Sequence, residues 1–250
     1  MQSKRHADIL RILEAQGTVT VVQLAQSLGV SSETVRRDLR PLTDGGAVLR
    51  MHGAVSLTGL SGEAPFRRRM RENAAAKQAI ARVFAASVRD GDVLMLDTGT
   101  TTSFVARALT AHRRLTIITN STDVARTLSV TGENRVFLAG GELRGDSGAV
   151  LGSAAVDYVG GFQAGCAVIS AGAVDAQGVM AFDPAEADLA RVMLAQAARR
   201  VLVTDQSKFG RRGLVTVTLW GGLDEVVCDN APSPDIAAAI AEARARLTVV

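Results

Sequence analysis

Four short stretches of the sequence bring together residue types that hold a phosphoryl group. They read LDTGTTTSF from Leu96, IITNSTD from Ile117, FLAGGE from Phe137 and VLVTDQSKFG from Val201. Each begins apolar and ends polar. Glycines at 99, 140 and 141 let the backbone approach an anion, and an anion favours the unpaired N–H groups and positive dipole end of a helix start. The hydroxyls of Thr100, Thr101, Thr102 and Ser121 and the amide of Asn120 are donors, Lys208 offers charge, and Asp97 can accept from sugar hydroxyls. Any one stretch reads equally well as an ordinary capped turn. Together they suggest a pocket for a small phosphorylated metabolite, because neither the GxxxxGK[ST] cradle nor the GxGxxG fingerprint of nucleotide sites is present.

What would bring the four together is a sheet. The runs VLMLD, LTIIT, RVFLAG, CAVISAG, RRVLVTD and EVVCD are separated by helix-length segments. That alternation predicts a mostly parallel sheet covered by helices, with ligands gathering beyond the carboxyl ends of the strands. FVARAL and DVARTL follow two of those ends as helices. Upstream, LTGLSGEAP over 57–65 is punctuated by glycine and proline and reads as a linker. FRRRMRENAAAKQAIARVFAASVRDGD, starting at Phe66, reads as one long helix closed by Gly91.

The first 56 residues have a different character. Ile9, Ile12 and Leu13 recur at helical spacing after Ser3, which would cap that helix, and Gly17 would stop it. Thr20 and Gln23 have the form of a capping box before a short helix ended by Gly29. Ser31 or Ser32 then caps SSETVRRDLRPL, which leaves only Gly29 and Val30 for the turn. Two short helices so tightly joined are a helix-turn-helix, the second helix entering the major groove. Val35, Leu39 and Leu42 share one face of it, while Arg36, Arg37 and Arg40 lie on the others beside Glu33 and Thr34. A merely solvated helix would also be charged; three arginines with serines at the N-terminus suit phosphates and guanine edges. Asp38 reads as a partner for a neighbouring arginine rather than a base reader, and Pro41 removes one helix hydrogen bond near the end. AVLRMHGAV gives two β-prone runs around a turn, a wing whose Arg50 and His52 would approach a phosphate or the minor groove.

Charge supports that division. Residues 1–71 carry 11 Lys plus Arg against 6 Asp plus Glu, a net of +5, and the remainder carries 17 against 19, a net of −2. Such a basic front end on a mildly acidic body is expected where only the front meets a polyanion. With 47% of 250 residues apolar and 21% charged, the chain has material for a proper core. Cys166 and Cys228 are far apart without a CxxC, which argues against a disulfide framework or zinc site. No apolar run is long enough for a membrane span and the N-terminus lacks a signal peptide's core, so a cytoplasmic protein is expected.

On these residues the chain resembles a known family. RHADILRILEAQGTVTVVQLAQSLGVSSETVRRDLRPLTDGGAVLRMHGAV is similar to the winged helix-turn-helix of DeoR-family bacterial transcription regulators, with TVRRDL its most specific part. Pro41 and Ala54 depart from the usual family residues. LDTGTTTSFVARAL, IITNSTDVARTL, FLAGGELRGDSGAVLG and VLVTDQSKFG resemble the family's effector domain from about Phe66 to Ala231. The resemblance implies a sugar-isomerase and CoA-transferase type of fold that binds phosphorylated sugars or related metabolites. Carried across, phosphate and sugar contacts come from Asp97, Gly99, Thr100, Thr101, Thr102, Asn120, Ser121, Gly140, Gly141 and Lys208. Asp175, in SAGAVDAQG, aligns with an acidic position of the family, although Ala171-Gly172-Ala173 precedes it where Ser-Gly is more usual.

The expected protein is therefore an α/β chain: a winged helix-turn-helix over 1–57, a linker and start of a connecting helix over 58–74, and an effector domain over 75–250. Ser31, Ser32, Thr34, Arg36, Arg37, Arg40, Arg50 and His52 would meet an operator in double-stranded DNA. A phosphorylated metabolite would control that binding in a homo-dimer or homo-tetramer, as a repressor and without a cofactor, metal or membrane. A second reading is a sugar-phosphate isomerase fused to a DNA-binding domain. Enolisation needs a positioned base and a stabilised enediolate. Related pentose-phosphate isomerases place a DGADE-like acidic cluster where this chain has SAGAVDAQG, which lacks paired acids.

Overall fold

The computed structural model describes residues 2–16, 19–51, 54–57 and 63–250. The chain divides into two compact units, Met1–Arg68 and Arg69–Val250.

In the smaller unit, α1 (Gln2–Gln16) packs with α2 (Val21–Leu28) and α3 (Ser32–Asp44). The first helix already includes Ser3, so Ser3 is not its cap; Gly17 lies outside the described residues. Thr20 and Gln23 form the full reciprocal capping box, and Gly29 ends α2 in the left-handed conformation with φ 62°. Ser31 caps α3, which runs through Pro41 to Asp44. The ring falls where the helix is about to end, and the Pro41 carbonyl still accepts from the Gly45 amide at 2.9 Å. β2 (Val48–Met51) and β3 (Ala54–Leu57) pair antiparallel as the wing, and β1 (Val19–Thr20) adds to the far side of β3. Ile9, Leu13, Leu24, Val35, Leu39, Val48 and Val55 make a core of their own.

The larger unit is built on a parallel sheet of seven strands: β4 (Val93–Leu96), β5 (Thr116–Thr119), β6 (Arg135–Leu138), β9 (Ala164–Ile169), β12 (Ala197–Thr204), β14 (Glu225–Cys228) and β15 (Arg246–Val249). Their order across the sheet is β15-β14-β12-β9-β4-β5-β6. Alternation decides the two faces. Leu94, Leu96, Ile117, Val168 and Val201 join Ile80, Phe84, Val105 and Val124 on one side. Met95, Ile118, Ala167, Ile169 and Leu202 join Val159, Leu189, Met193 and Ile240 on the other. One layer thus holds α5 (Ala74–Ala85), α6 (Thr100–Ala108) and α7 (Thr122–Ser129); the other holds α8 (Ser153–Gly160), α9 (Pro184–Ala195) and α10 (Pro234–Glu242). A hairpin of β7 (Glu142–Leu143) with β8 (Val150–Leu151), and a small antiparallel sheet of β10 (Ala173–Val174), β11 (Gly178–Ala181) and β13 (Val215–Leu219), complete it.

The six strands expected from the apolar runs are all present. The single long helix after Phe66 is not. It is a turn, α4 (Phe66–Arg69), then a break, then α5, which ends at Ala85. The break is made by Asn73, whose φ of 52° lies in the left-handed region. Both cysteines are buried and unpaired, and burial raises the Cys166 thiol to about 12 and the Cys228 thiol to about 11, which makes both inert.

Candidate functional site

Two groups of residues are the candidates, one in each unit. On α3, Val35 and Leu39 are fully buried, and Arg36, Arg37 and Arg40 are exposed. Ser31 is exposed; its Oγ accepts from the Thr34 amide at 3.2 Å and meets the Thr34 hydroxyl at 2.9 Å. Ser32 and Thr34 are half-buried on the first turn. The arginine partner of Asp38 comes from another helix: Arg5 Nε of α1 donates to Asp38 Oδ2 at 2.7 Å, and this bond holds the Asp38 carboxyl below its ordinary range. Asp38 is thereby spent on fixing α3 to α1. Arg50 pairs with Val55 across the wing. Its side chain, and His52 altogether, lie outside the described residues.

In the larger unit the strand order reverses at β4 and β9: β5 and β6 continue to one side, while β12, β14 and β15 follow β9 to the other. That reversal is where open α/β sheets hold ligands. Asp97, Thr98 and Gly99 leave β4 there and Ser170 leaves β9. The Thr98 amide donates to Asp97 Oδ1 at 2.7 Å and to Asn120 Oδ1 at 2.9 Å, which locks the end of β4 to the end of β5. Thr119 Oγ1 reinforces this by donating to the Leu96 carbonyl at 2.6 Å. α6 starts at once, with Thr100, Thr101, Thr102 and Ser103 all buried in its first turn. Among the described residues at this point, Thr98 Oγ1, Ser103 Oγ and Asn120 Nδ2 are buried without a hydrogen-bond partner. Buried polar groups in a native fold are otherwise nearly always bonded.

Charge in the same place is unusual. Asp97 is pushed up to about 8 by burial and then by the negative charge of Glu186, with the Thr98 amide opposing. Across β9, Asp205 follows β12 and caps the turn that carries Lys208. Its Oδ1 accepts from the Ser207 amide at 3.0 Å, the Ser207 hydroxyl at 2.5 Å and Asn73 Nδ2 at 2.9 Å. Lys208 is buried in that turn.

The smaller unit matches the DeoR-like helix-turn-helix domain over residues 5–58, and residues 72–230 match the DeoR C terminal sensor domain. The chain belongs to the DeoR family. Among relatives of this DeoR-family regulator, the glycerol-3-phosphate regulon repressor of Escherichia coli (strain K12) is 35% identical over 232 residues, 92% of each chain. The HTH-type transcriptional repressor CsqR of the same strain is 34% identical over 229 residues, 91% of this chain and 88% of its own. Ribose 5-phosphate isomerase A from Methanocaldococcus jannaschii aligns with 55% of this chain and 55% of its own, at 18% identity and a TM-score of 0.40. This is a DNA-binding transcriptional regulator, and the relatives named above that align over nearly the whole chain are repressors, not isomerases.

Not every residue expected to meet an effector stands at the reversal point. Gly140 and Gly141 are exposed at the end of β6, two strand spacings from β4, about 10 Å. Gly141 has a local reason to be glycine: at φ 149°, a β-carbon there would lie 2.8 Å from the Leu151 carbonyl oxygen of the β7–β8 hairpin. Ser121 is buried and caps α7 through the Val124 amide at 3.3 Å. Asp175 sits in the β10–β11 turn, where its Oδ1 accepts from the Gln177 and Gly178 amides at 2.8 and 3.3 Å. Four residues at or beside the site were missed: Ser103, Ser170, Glu186 and Lys77. Ser103 stood among the hydroxyls of LDTGTTTSF and Ser170 at the polar end of CAVISAG, and Lys77 had the signal of a lysine on the apolar face made by Ile80, Ala81 and Phe84 at i+3, i+4 and i+7; Glu186 had none.

Proposed function

We propose that the reversal-point pocket binds the phosphoryl group of a sugar or polyol phosphate, and that occupancy lowers operator affinity, so that the protein represses a carbohydrate or polyol catabolic operon until its substrate accumulates. One observation carries this reading: three buried polar atoms, on Thr98, Ser103 and Asn120, lack partners beside a helix start, and the buried lysine turn follows β12, on the other side of β9 from β4. Such orphaned groups are what an oxygen-rich anion satisfies. Asp97, Gly99, Thr100, Thr101, Thr102, Asn120 and Lys208 form the core of the contact set, with Ser121, Gly140, Gly141 and Asp175 as an outer rim. Glycerol 3-phosphate is the first candidate, since the 35% identical relative is named for that regulon. Ser31, Ser32, Thr34, Arg36, Arg37, Arg40, Arg50 and His52 form the operator-reading set. Reading two half-sites calls for a homo-dimer or homo-tetramer.

Linkage requires that the effector weaken operator binding by the same factor as operator weakens effector binding. Titrating the purified protein with glycerol 3-phosphate, and with hexose and pentose phosphates, in the presence and absence of operator tests it. Reciprocal weakening is expected for one of them. No calorimetric or thermal response to any would reject the pocket, and a 26.1 kDa species in sedimentation at micromolar concentration would reject the assembly.

A further inference from the structure

Lys77 is buried on α5, and its ammonium group has three protons to place. Two go to main-chain carbonyls, Arg69 at 2.6 Å and Glu72 at 2.8 Å. A carboxylate oxygen, Asp205 Oδ2, stands 3.9 Å away, and it is itself buried and makes no hydrogen bond. Asp205's other oxygen is engaged by Ser207 and Asn73. One carboxylate therefore holds the turn bearing Lys208 through one oxygen, and faces the ammonium group that holds Arg69 and Glu72 through the other.

The position of Arg69 gives this arrangement a consequence. It is the first residue of the larger unit and the last of the α4 turn, whose earlier residues belong to the DNA-binding unit. Within that unit the Arg68 guanidinium donates to the Gly45 carbonyl, at the C-terminal cap of α3.

We infer that Asp205 and Lys77 transmit occupancy of the Lys208 turn to the Arg69–Glu72 segment that leads into the DNA-binding unit. The inference rests on the pocket reading above. A phosphoryl group engaged by Lys208 draws on a turn that Asp205 caps, so the carboxylate moves with it. At 3.9 Å the Asp205–Lys77 pair stands about 1 Å beyond a charge-assisted hydrogen bond, so a small displacement toward Lys77 makes that bond. When the third proton of Lys77 is taken up, its hold on the two carbonyls changes, and these lie at the start of the larger unit, directly after Arg68 in the chain. Asp205 and Lys77 act here as positioning residues; neither needs to touch the effector's sugar.

Amide hydrogen exchange on the full-length protein tests the relay, with inorganic phosphate as ligand. In the wild type, phosphate is expected to change exchange over residues 97–103 and over 69–77, each by about fivefold, the lower end of ordinary coupling factors. Asp205→Asn keeps an N-capping side chain at the turn and removes the charge facing Lys77. It is expected to retain the phosphate response at 97–103 and lose the one at 69–77, a separation that general loosening would not produce. Lys77→Gln provides the same reading if Asp205→Asn folds poorly. A wild-type response at 97–103 with none at 69–77 overturns the relay alone, as does a variant that transmits like the wild type. No response at 97–103 in the wild type overturns the pocket reading, and the relay with it.

Discussion

Gly99 and Ser170 meet where β4 and β9 end, and a β-carbon on Gly99 would stand 2.1 Å from Ser170 Oγ. Gly99 also has φ 154° and ψ 160°, a region open essentially to glycine alone. This lets the chain leave β4, pass against the end of β9 and begin α6 in one step. Gly99→Ala is therefore expected to lower stability by about 1–3 kcal/mol, and to weaken phosphate binding. Ser170→Gly added to it should remove the clash and leave the backbone strain, recovering only part. A Gly99→Ala variant with wild-type melting temperature and wild-type affinity would contradict this geometry.

Asp97 makes a prediction about pH. Its folded value of about 8 lies above the ordinary value of 3.8. Between those limits the folded protein keeps a proton that the unfolded chain has released. Stability must then fall as pH rises from about 4 to about 8, by up to about 1.4 kcal/mol per unit, and level off above. Asp97→Asn abolishes this term, so the variant should gain on the wild type across that window. Glu186→Gln should move the upper limit of the window down. Urea unfolding at several pH values measures both; a difference curve that stays level would mean the carboxyl is already charged at neutral pH.

Arg37 and Lys208 should separate the two functions. Losing a base-reading arginine removes about 1–3 kcal/mol of discrimination, so Arg37→Ala is expected to reduce the operator-to-random-DNA ratio while effector affinity stays the same. Lys208→Ala should weaken the effector about tenfold or more, the value of a hydrogen bond to a charged group, and leave operator binding in its absence intact. Equal loss on operator and random duplex would exclude Arg37 from base reading, and unaltered effector titration would exclude Lys208 from the pocket.

Because each unit has its own core, damage to one should stay there. Leu39 is fully buried in the smaller one. Leu39→Ala is expected to cost about 2–5 kcal/mol in that unit, abolishing operator binding before effector binding is affected. Calorimetry should show one transition shifted and the other in place; a joint shift would count against separate cores.

The winged helix-turn-helix was readable because its signals are local. The Thr20–Gln23 box, the left-handed Gly29 and the Ser31 cap each span four residues or fewer, and all stand as expected. The strand ends were readable for a similar reason: an apolar run followed by glycine and hydroxyls marks a strand leaving the core whatever lies beside it. The long helix after Phe66 went wrong because helical composition runs unbroken through ENAAAK, while the left-handed Asn73 that breaks it bonds a partner 132 residues away, Asp205, which no local pattern shows. β15 was missed because an edge strand with half-buried faces has no apolar run to show.

Residue order alone thus set the helix-turn-helix with the caps of its second and third helices, six strands of the sheet and the polar character of their ends, since these follow from hydrogen bonds and periodicities a few residues long. Which ends meet was decided by the parallel order of the sheet. That order puts Ser170 against Gly99, brings the charge of Glu186 to bear on Asp97 and sets Lys77 before Asp205, pairs that a reading along the chain cannot assemble. Burial then did what composition could not foretell: it kept a proton on Asp97 to about 8 and left Thr98, Ser103 and Asn120 with donors unspent.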